Sequence, residues 1–467
     1  FEGVNVSPLN QGHDELYRGG GDLKWNLPRE EGFDKISFRS RFKPDAQYLL
    51  LDGIACGSHG HRDANCLIRF TDNDRVWLVD DSYTEGPFLS DHNGVLVIRD
   101  GIAEAMSALA RLDAVVDFDE VGITRTTLPD HSGVDWERNV VWIKEKCFVV
   151  LDQMKAVQPG NYGFRCQWRT LGTATLDGNR LTTRQEATTP ERKDAMHLVV
   201  AGDVRASFAE DREDFGGRWR GRYEHAEPVV NIHRQDTTCE LAVRESFTFA
   251  NLFYATNIAE PHDFGLAKID DATALVTGEE RMLTGMADDG STFGGVSLRA
   301  GPFVLRQQSL TAAAVTSLTI DDNSVLTSET PVALSFDLRD RKLLVQADKP
   351  TRATVLGEVR SLKKGQTAFE ANGIARSSFA GEVDEFASRS QQGQPATEQG
   401  ARTTPANVSV AWEFDVGSAV HALLAAGDHV VAGTQDGTGL LLDAHGKPLW
   451  RIKTEDRINA ISVGDLN

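Results

Sequence analysis

Apolar residues in this chain fall in short runs broken by polar turns, and hardly anywhere at the three-and-four spacing of a helix. Phe38-Arg-Ser-Arg-Phe42 alternates apolar and charged residues, and Tyr48–Leu51 is a short apolar run. Cys66–Phe70 and Val76–Val79 flank Asp72-Asn73-Asp74, which reads as a hairpin. Val95–Ile98, Val140–Ile143, Cys147–Leu151, Leu198–Ala201, Glu245–Phe249 and Leu252–Tyr254 continue the pattern. Only the Ala-rich stretch Ile102–Leu112 carries helical character. Strands recurring with polar turns predict an all-β chain built around a large antiparallel β-sandwich.

The texture changes along the chain. Residues 1–32, with Gly19-Gly20-Gly21, read as an irregular lead-in, and 33–308 as the sandwich. Residues 309–374 are an accessory β-rich segment, either a small second sandwich or the last strands of the first. Residues 375–408 are rich in Gln, Gly, Ser and Thr, which is linker composition. In 409–467 a repeat begins. Trp412 and Trp450 stand 38 residues apart, and Val420-x-Ala422 returns as Ile458-x-Ala460. Strand-like runs near 420–425, 429–433, 438–443 and 448–452 lie between, with Gly433-Thr-Gln-Asp-Gly437 as the central turn. A period near forty with four strands is the signature of a propeller blade. Trp412-Glu-Phe-Asp415 and Leu442–Trp450 resemble the blades of quinoprotein-type (PQQ-like) propellers. A single blade leaves its faces uncovered, so this segment is expected to be the start of a truncated propeller.

With 49 basic and 69 acidic residues the net charge is −20, which argues against a nucleic-acid partner. No apolar run is long enough to span a membrane. The first residue is Phe1 with no leader before it, and both ends read as cut. The five cysteines, Cys56, Cys66, Cys147, Cys166 and Cys239, include no CxxC pair and are expected as buried thiols rather than a zinc site.

Chemistry concentrates in Ser58-His59-Gly60-His61-Arg62-Asp63-Ala64-Asn65. In an extended chain His59 and His61 project to one side, about 7 Å apart. Asp80 follows the run Val76–Val79, and His92-Asn93 precedes Val95–Ile98. Two imidazoles and a carboxylate around a divalent ion, with one position open, form a zinc-type set. With a tight Asp72–Asp74 loop, Asp80 lies opposite Cys66, so the histidine segment must curl back over the sheet to reach it. Arg218-Trp-Arg-Gly-Arg222-Tyr223 is a basic-aromatic cluster that reads as a solvated hairpin tip, with stacking on sugars as its functional alternative. His225 and His233 take no role. The terminal Asp465-Leu-Asn467 has the form of an opening calcium loop.

This order of elements resembles the heparinase II/III-like polysaccharide lyases. Those carry a His-Gly-His-x-Asp-Ala block, a hairpin, an apolar run ending in Asp with Tyr close behind, and His-Asn before another strand. Here these are His59–Ala64, Leu78–Tyr83 and His92–Val97, and Arg138–Ile143 with Phe148–Asp152 look like that family's core strands. The resemblance spans roughly residues 33 to 260. It implies His61, Asp80 and His92 as zinc ligands, His59 as the histidine facing the substrate carboxylate, and Tyr83 as a recurrent tyrosine near the cleft. This chain departs from the pattern at Asp81-Ser82, where the family has Pro or Val with Gly, and at Gly94, where it has Thr. The family also places an α/α-toroid before the sandwich, and nothing helical precedes Phe33.

The resemblance implies β-elimination on uronic-acid glycans, an anionic polysaccharide as partner, and a secreted, periplasmic or cell-surface location. Two other functions fit the residues: a non-catalytic module binding glycan or protein, and a hydrolase using the His/Asp/His set to activate water.

Overall fold

The structure is a computed structural model. It describes residues 2–9, 23–56, 62–80, 92–186, 194–202, 204–211, 230–257, 259, 261–391, 414, 420–426, 429–434, 436–454 and 458. The chain divides into two compact units, Phe1–Gln399 and Gly400–Asn467.

The first unit is a stack of antiparallel sheets. A nine-stranded sheet runs from Gly3–Pro8 through Phe33–Arg39, Tyr48–Asp52, Leu67–Asp72 and Arg75–Val79 to Gly160–Leu171, Val230–Leu241 and Arg205–Asp211. The strand Val95–Arg99 also pairs with Gly160–Leu171. An eight-stranded sheet holds the long hairpin Val134–Ile143/Cys147–Ala156, with Ser246–Thr256 beside it. The core between these sheets is aromatic. Phe38, Phe70, Trp142, Phe148, Trp168 and Phe253 are all buried there. Trp142 stacks on Phe148 at 5.6 Å. The expected all-β sandwich is therefore present.

The eight-stranded sheet is covered on its other face as well. Ile123, Val141, Val149 and Leu252 point away from the aromatic core. They pack on Phe264, Met282, Val304 and Ala333 of a ten-stranded sheet and the chain leading into it, spanning Gly265–Lys268 to Gly365–Glu370. This double burial explains why Val140-Val-Trp-Ile143 reads as an unbroken apolar run instead of alternating. The ten-stranded sheet curls on its own core, which includes Phe303, Leu318, Leu334 and Phe336. The strands past Ser309, open to two assignments from sequence, belong to this sheet.

Two local readings are corrected. Ile102–Leu112 is not helical. The Lys24 N–H donates to the Met106 carbonyl and the Ala108 N–H to that of Lys24, while Ala55 N–H bonds Ala108 and Ala110 N–H bonds Gly53. These long-range bridges override the helix propensity of alanine. Conversely, a helix occupies Ala380–Gln391, inside the stretch read as linker. Phe379 and Val383 are fully buried on the ten-stranded sheet, and Phe386 packs beside them. The Ser378 hydroxyl accepts from the Ala380 N–H at 3.0 Å and satisfies the helix start.

All five cysteines are free thiols, four of them buried and Cys239 half-buried. The second unit contains a four-stranded antiparallel sheet, Val420–Ala426, His429–Thr434, Thr438–Asp443 and Pro448–Lys453. These are the four runs read from the repeat. Among the described residues no helix is long and apolar enough to cross a membrane.

Candidate metal centre

The site forms where two strands share one edge of a third. Arg75–Val79 pairs with Gly160–Leu171 at Leu78↔Thr170. Val95–Arg99 pairs with the same strand lower down, from Cys166↔Val95 to Tyr162↔Arg99. The end of one strand and the start of the other therefore meet at a seam. Asp80 leaves the first and His92 enters the second, so residues twelve apart come together. His92 Nδ1 lies 2.5 Å from Asp80 Oδ1, with His92 fully buried.

Asn93 fills the seam. Its side-chain amide donates to the carbonyls of Leu67 (2.8 Å) and Val79 (2.9 Å), and its Oδ1 accepts the Arg169 N–H at 2.6 Å. Gln167 Nε2 donates to the His92 carbonyl at 2.9 Å. These side chains supply partners to backbone groups that a break in the sheet edge would otherwise strand away from water.

The hairpin before the seam differs slightly from expectation. Asn73 and Asp74 both have positive φ (56° and 59°), as a two-residue turn demands. A bulge between Phe70 and Thr71 then shifts the register to Arg69↔Val79, which leaves Asp80 level with Ile68, two residues short of Cys66. The chain does fold back toward it. Asn65 N–H donates to the Asp52 carbonyl at 2.8 Å, and Cys66 N–H to the Asp63 carbonyl at 2.9 Å. This turn brings the Asp63 carboxylate to Asp80 and His92: one ligand atom from each lies within 4.8 Å of the others.

A buried cation braces both loops from beneath. Arg138 is fully buried and pairs with Asp152 through Nε (2.7 Å) and Nη2 (3.0 Å). Its Nη1 donates to the carbonyls of Asn65 (2.8 Å) and Asn93 (3.1 Å), one from each site loop. Trp136 Nε1 also donates to Asp152, and Thr126 Oγ1 to Asn65 Oδ1.

Of the residues singled out from sequence, Asp80 and His92 are brought together in a direct hydrogen bond. His59, His61 and Tyr83 lie outside the described residues, as do the 218–223 cluster, His225 and Asp465–Asn467. Asp63 belongs to the histidine block, but the resemblance implies no role for it; its His-x-Asp spacing is the available signal. Arg138 and Asp152 mark core strands in the sequence, and nothing in the pattern around them shows that they reach the site loops.

The residues present fit a divalent cation. Asp80 lies close enough to raise both Asp52 and Asp63, and Asp52 raises Asp63 as well, while Lys35 pulls both of them down. Burial, then the charge of Asp52 and Asp80, raises Asp63 well above the carboxylate range. Burial likewise pushes Asp52 up to about 6, against the pull of Lys35 at 2.8 Å. The donor set of two carboxylates and an imidazole suits Zn2+ or a similar borderline ion. Around such an ion Asp80 and His92 would stand about 3.3 Å apart, less than about 1 Å wider than here, given metal–ligand lengths of about 2.0–2.2 Å.

No family model and no curated protein matches the chain. Among solved structures it is similar to the heparan sulfate lyase HepC from Pedobacter heparinus. The identity is 14% and the TM-score 0.37, over 53% of this chain and 40% of that one. It is also similar to a heparinase III, at 13% identity and TM-score 0.40 over 54% and 40% of the two chains. A further heparinase III gives 14% identity and TM-score 0.40 over 52% and 39%. The matched regions thus cover well under half of each of those proteins. At such scores the likeness places no residue and assigns no activity to this chain.

Proposed function

We propose that this chain carries the β-sandwich part of a polysaccharide lyase that cleaves uronic-acid glycans by β-elimination. The observation that supports it is the meeting of Asp63, Asp80 and His92 at a buried seam. All three come from the blocks that resemble the heparinase II/III-like lyases, and the two loops carrying them are tied by one buried arginine.

In this reading His61, Asp80 and His92 hold a divalent ion such as Zn2+, whose contribution is to fix the segment bearing His59. His59 then faces the C6 carboxylate of the substrate and neutralises it. Neutralisation acidifies the C5 proton, because negative charge develops on that carboxylate as the proton leaves. Tyr83 is the candidate group beside the cleft for moving the proton. The C5–H bond breaks, its electrons form the C4=C5 double bond, and the C4–O4 bond opens with a proton delivered to O4. Cationic His59 also offsets the field of a chain with net charge −20, which otherwise repels an anionic polymer. The four-stranded sheet of the second unit is, on this reading, a blade of a propeller.

The test is to mix the full-length protein with heparin, heparan sulfate and alginate and follow the ultraviolet absorbance of unsaturated uronate. Product from at least one polymer, lost in His59→Ala, is expected. New reducing ends without that absorbance would replace the lyase with a hydrolase. Retention of polymer with no cleavage would leave a binding module.

A further inference from the structure

The carboxylate of Asp63 stands out in the described structure for what it lacks. Asp63 is 6% exposed, yet no hydrogen-bond donor and no cation among the described residues contacts its carboxylate. Each neighbouring acid is better provided for. Asp52 takes Lys35 Nζ at 2.8 Å and the Ile54 N–H at 3.0 Å. Asp80 takes His92 Nδ1 at 2.5 Å. Lys35 is already shared between Asp52 and Asp34 and bonds to neither Asp63 nor Asp80. A buried carboxylate with no partner, beside two others, is expensive unless a cation sits among them. Its oxygen nonetheless lies within 4.8 Å of the ligand atoms of both Asp80 and His92.

We propose that Asp63 is a direct ligand of the divalent cation, alongside Asp80 and His92. The site is then rich in carboxylate, with the Lys35–Asp52 pair as its outer support. This rests on the metal site of the proposed function and adds to it a ligand that the family resemblance does not supply. The short turn Asp63–Asn65 gives the reason for the spacing. It aims Asp63 back at the seam while the Asn65 carbonyl is held by Arg138.

The experiment is Zn2+ binding to the purified full chain by competition with a chromophoric chelator, with Co2+ as a spectroscopic probe. Wild type, Asp63→Asn and Asp80→Asn are compared, and each is melted in EDTA and in Zn2+. If Asp63 is a ligand, Asp63→Asn weakens Zn2+ binding at least a hundredfold and alters the visible Co2+ spectrum. In EDTA the same variant melts at or above the wild type, because an unpartnered buried charge is gone. In Zn2+ it melts below. That reversal shows that a folded variant has lost the ion. If Asp63→Asn keeps wild-type affinity and the wild-type Co2+ spectrum while Asp80→Asn loses both, Asp63 is not a ligand and the metal site stands without it. If the wild type itself binds no Zn2+ or Co2+, the metal reading falls, and this proposal with it.

Discussion

Single residues in this core carry charge and protons far from water, and their behaviour follows from that. Arg138 and Asp152 are fully buried, and each satisfies the other. Removing one partner leaves an uncompensated charge, so Arg138→Met is expected to cost about 3–5 kcal/mol in urea unfolding. Asp152→Asn, which keeps the shape, should cost a similar amount. His131 and His233 are pushed down to about 4, chiefly by burial, and neither ring nitrogen of His233 has a hydrogen-bond partner among the described residues. Unfolded histidines take up protons near about 6.5, so between about pH 6.5 and pH 4 the unfolded chain binds more protons than the folded one. Stability therefore falls as pH falls through that window, by on the order of 3 kcal/mol per histidine at pH 4. His233→Gln is expected to flatten the acid limb by about one proton. Comparing urea midpoints of the two proteins at pH 7 and pH 5 cancels the opposite contribution of Asp52 and Asp63. Equal slopes for both would mean that His233 is not held neutral. Of these residues, sequence marks Asp80 and His92 because the family block and the following strand set their place. Arg138 and Asp152 carry no such mark, because the role of the arginine is to reach loops 73 and 45 residues away in the chain.

At the level of elements, short-range pattern specifies the strands and long-range pairing decides the rest. The hairpin of Leu67–Asp72 and Arg75–Val79 is legible from its alternation and its Asn-Asp turn. The bulge that moves Asp80 is not, because it depends on Trp77 seating in the core with its Nε1 donating to the Asp72 carbonyl at 3.0 Å. The helix Ala380–Gln391 is hidden by its polar composition, although Phe379, Val383 and Phe386 stand at helical spacing. The seam is illegible as well, since two strands can share one edge only once Gly160–Leu171 is in place. Asn93 is what holds that seam. Asn93→Ala leaves the carbonyls of Leu67 and Val79 and the Arg169 N–H without their partner, all at a fully buried position. The expected loss is about 2–5 kcal/mol, at about 1–3 kcal/mol for each stranded group with partial relaxation. Hydrogen exchange should quicken first at Leu78, Val79 and Val95. Unchanged exchange there would show that the seam does not depend on this side chain.

For the whole molecule, the telling feature is that the eight-stranded sheet is covered on both faces. Its inner face meets the aromatic core, and its outer face meets the ten-stranded sheet through Val141, Val149, Leu252, Phe264 and Val304. Charged contacts ring that second contact: Arg125 makes a two-pronged pair with Asp288, and Arg306 bonds Glu120 and Glu280. The sandwich therefore does not end as a free-standing body where its own strands end. A chain stopped at Asp263 would present Ile123, Val141, Val149, Leu252 and Tyr254 to water as one apolar surface, the kind that drives association. Such a truncated protein is expected to bind a hydrophobic dye strongly and to elute as aggregate. A chain stopped at Gln399 keeps the ten-stranded sheet and the helix that closes its core. It should elute as a single compact species with little dye binding. A shorter chain that stayed monodisperse and bound no dye would mean that the contact between the two sheets contributes little. The seam, which lies in the nine-stranded sheet, would then owe its rigidity to Arg138 and Asn93 alone.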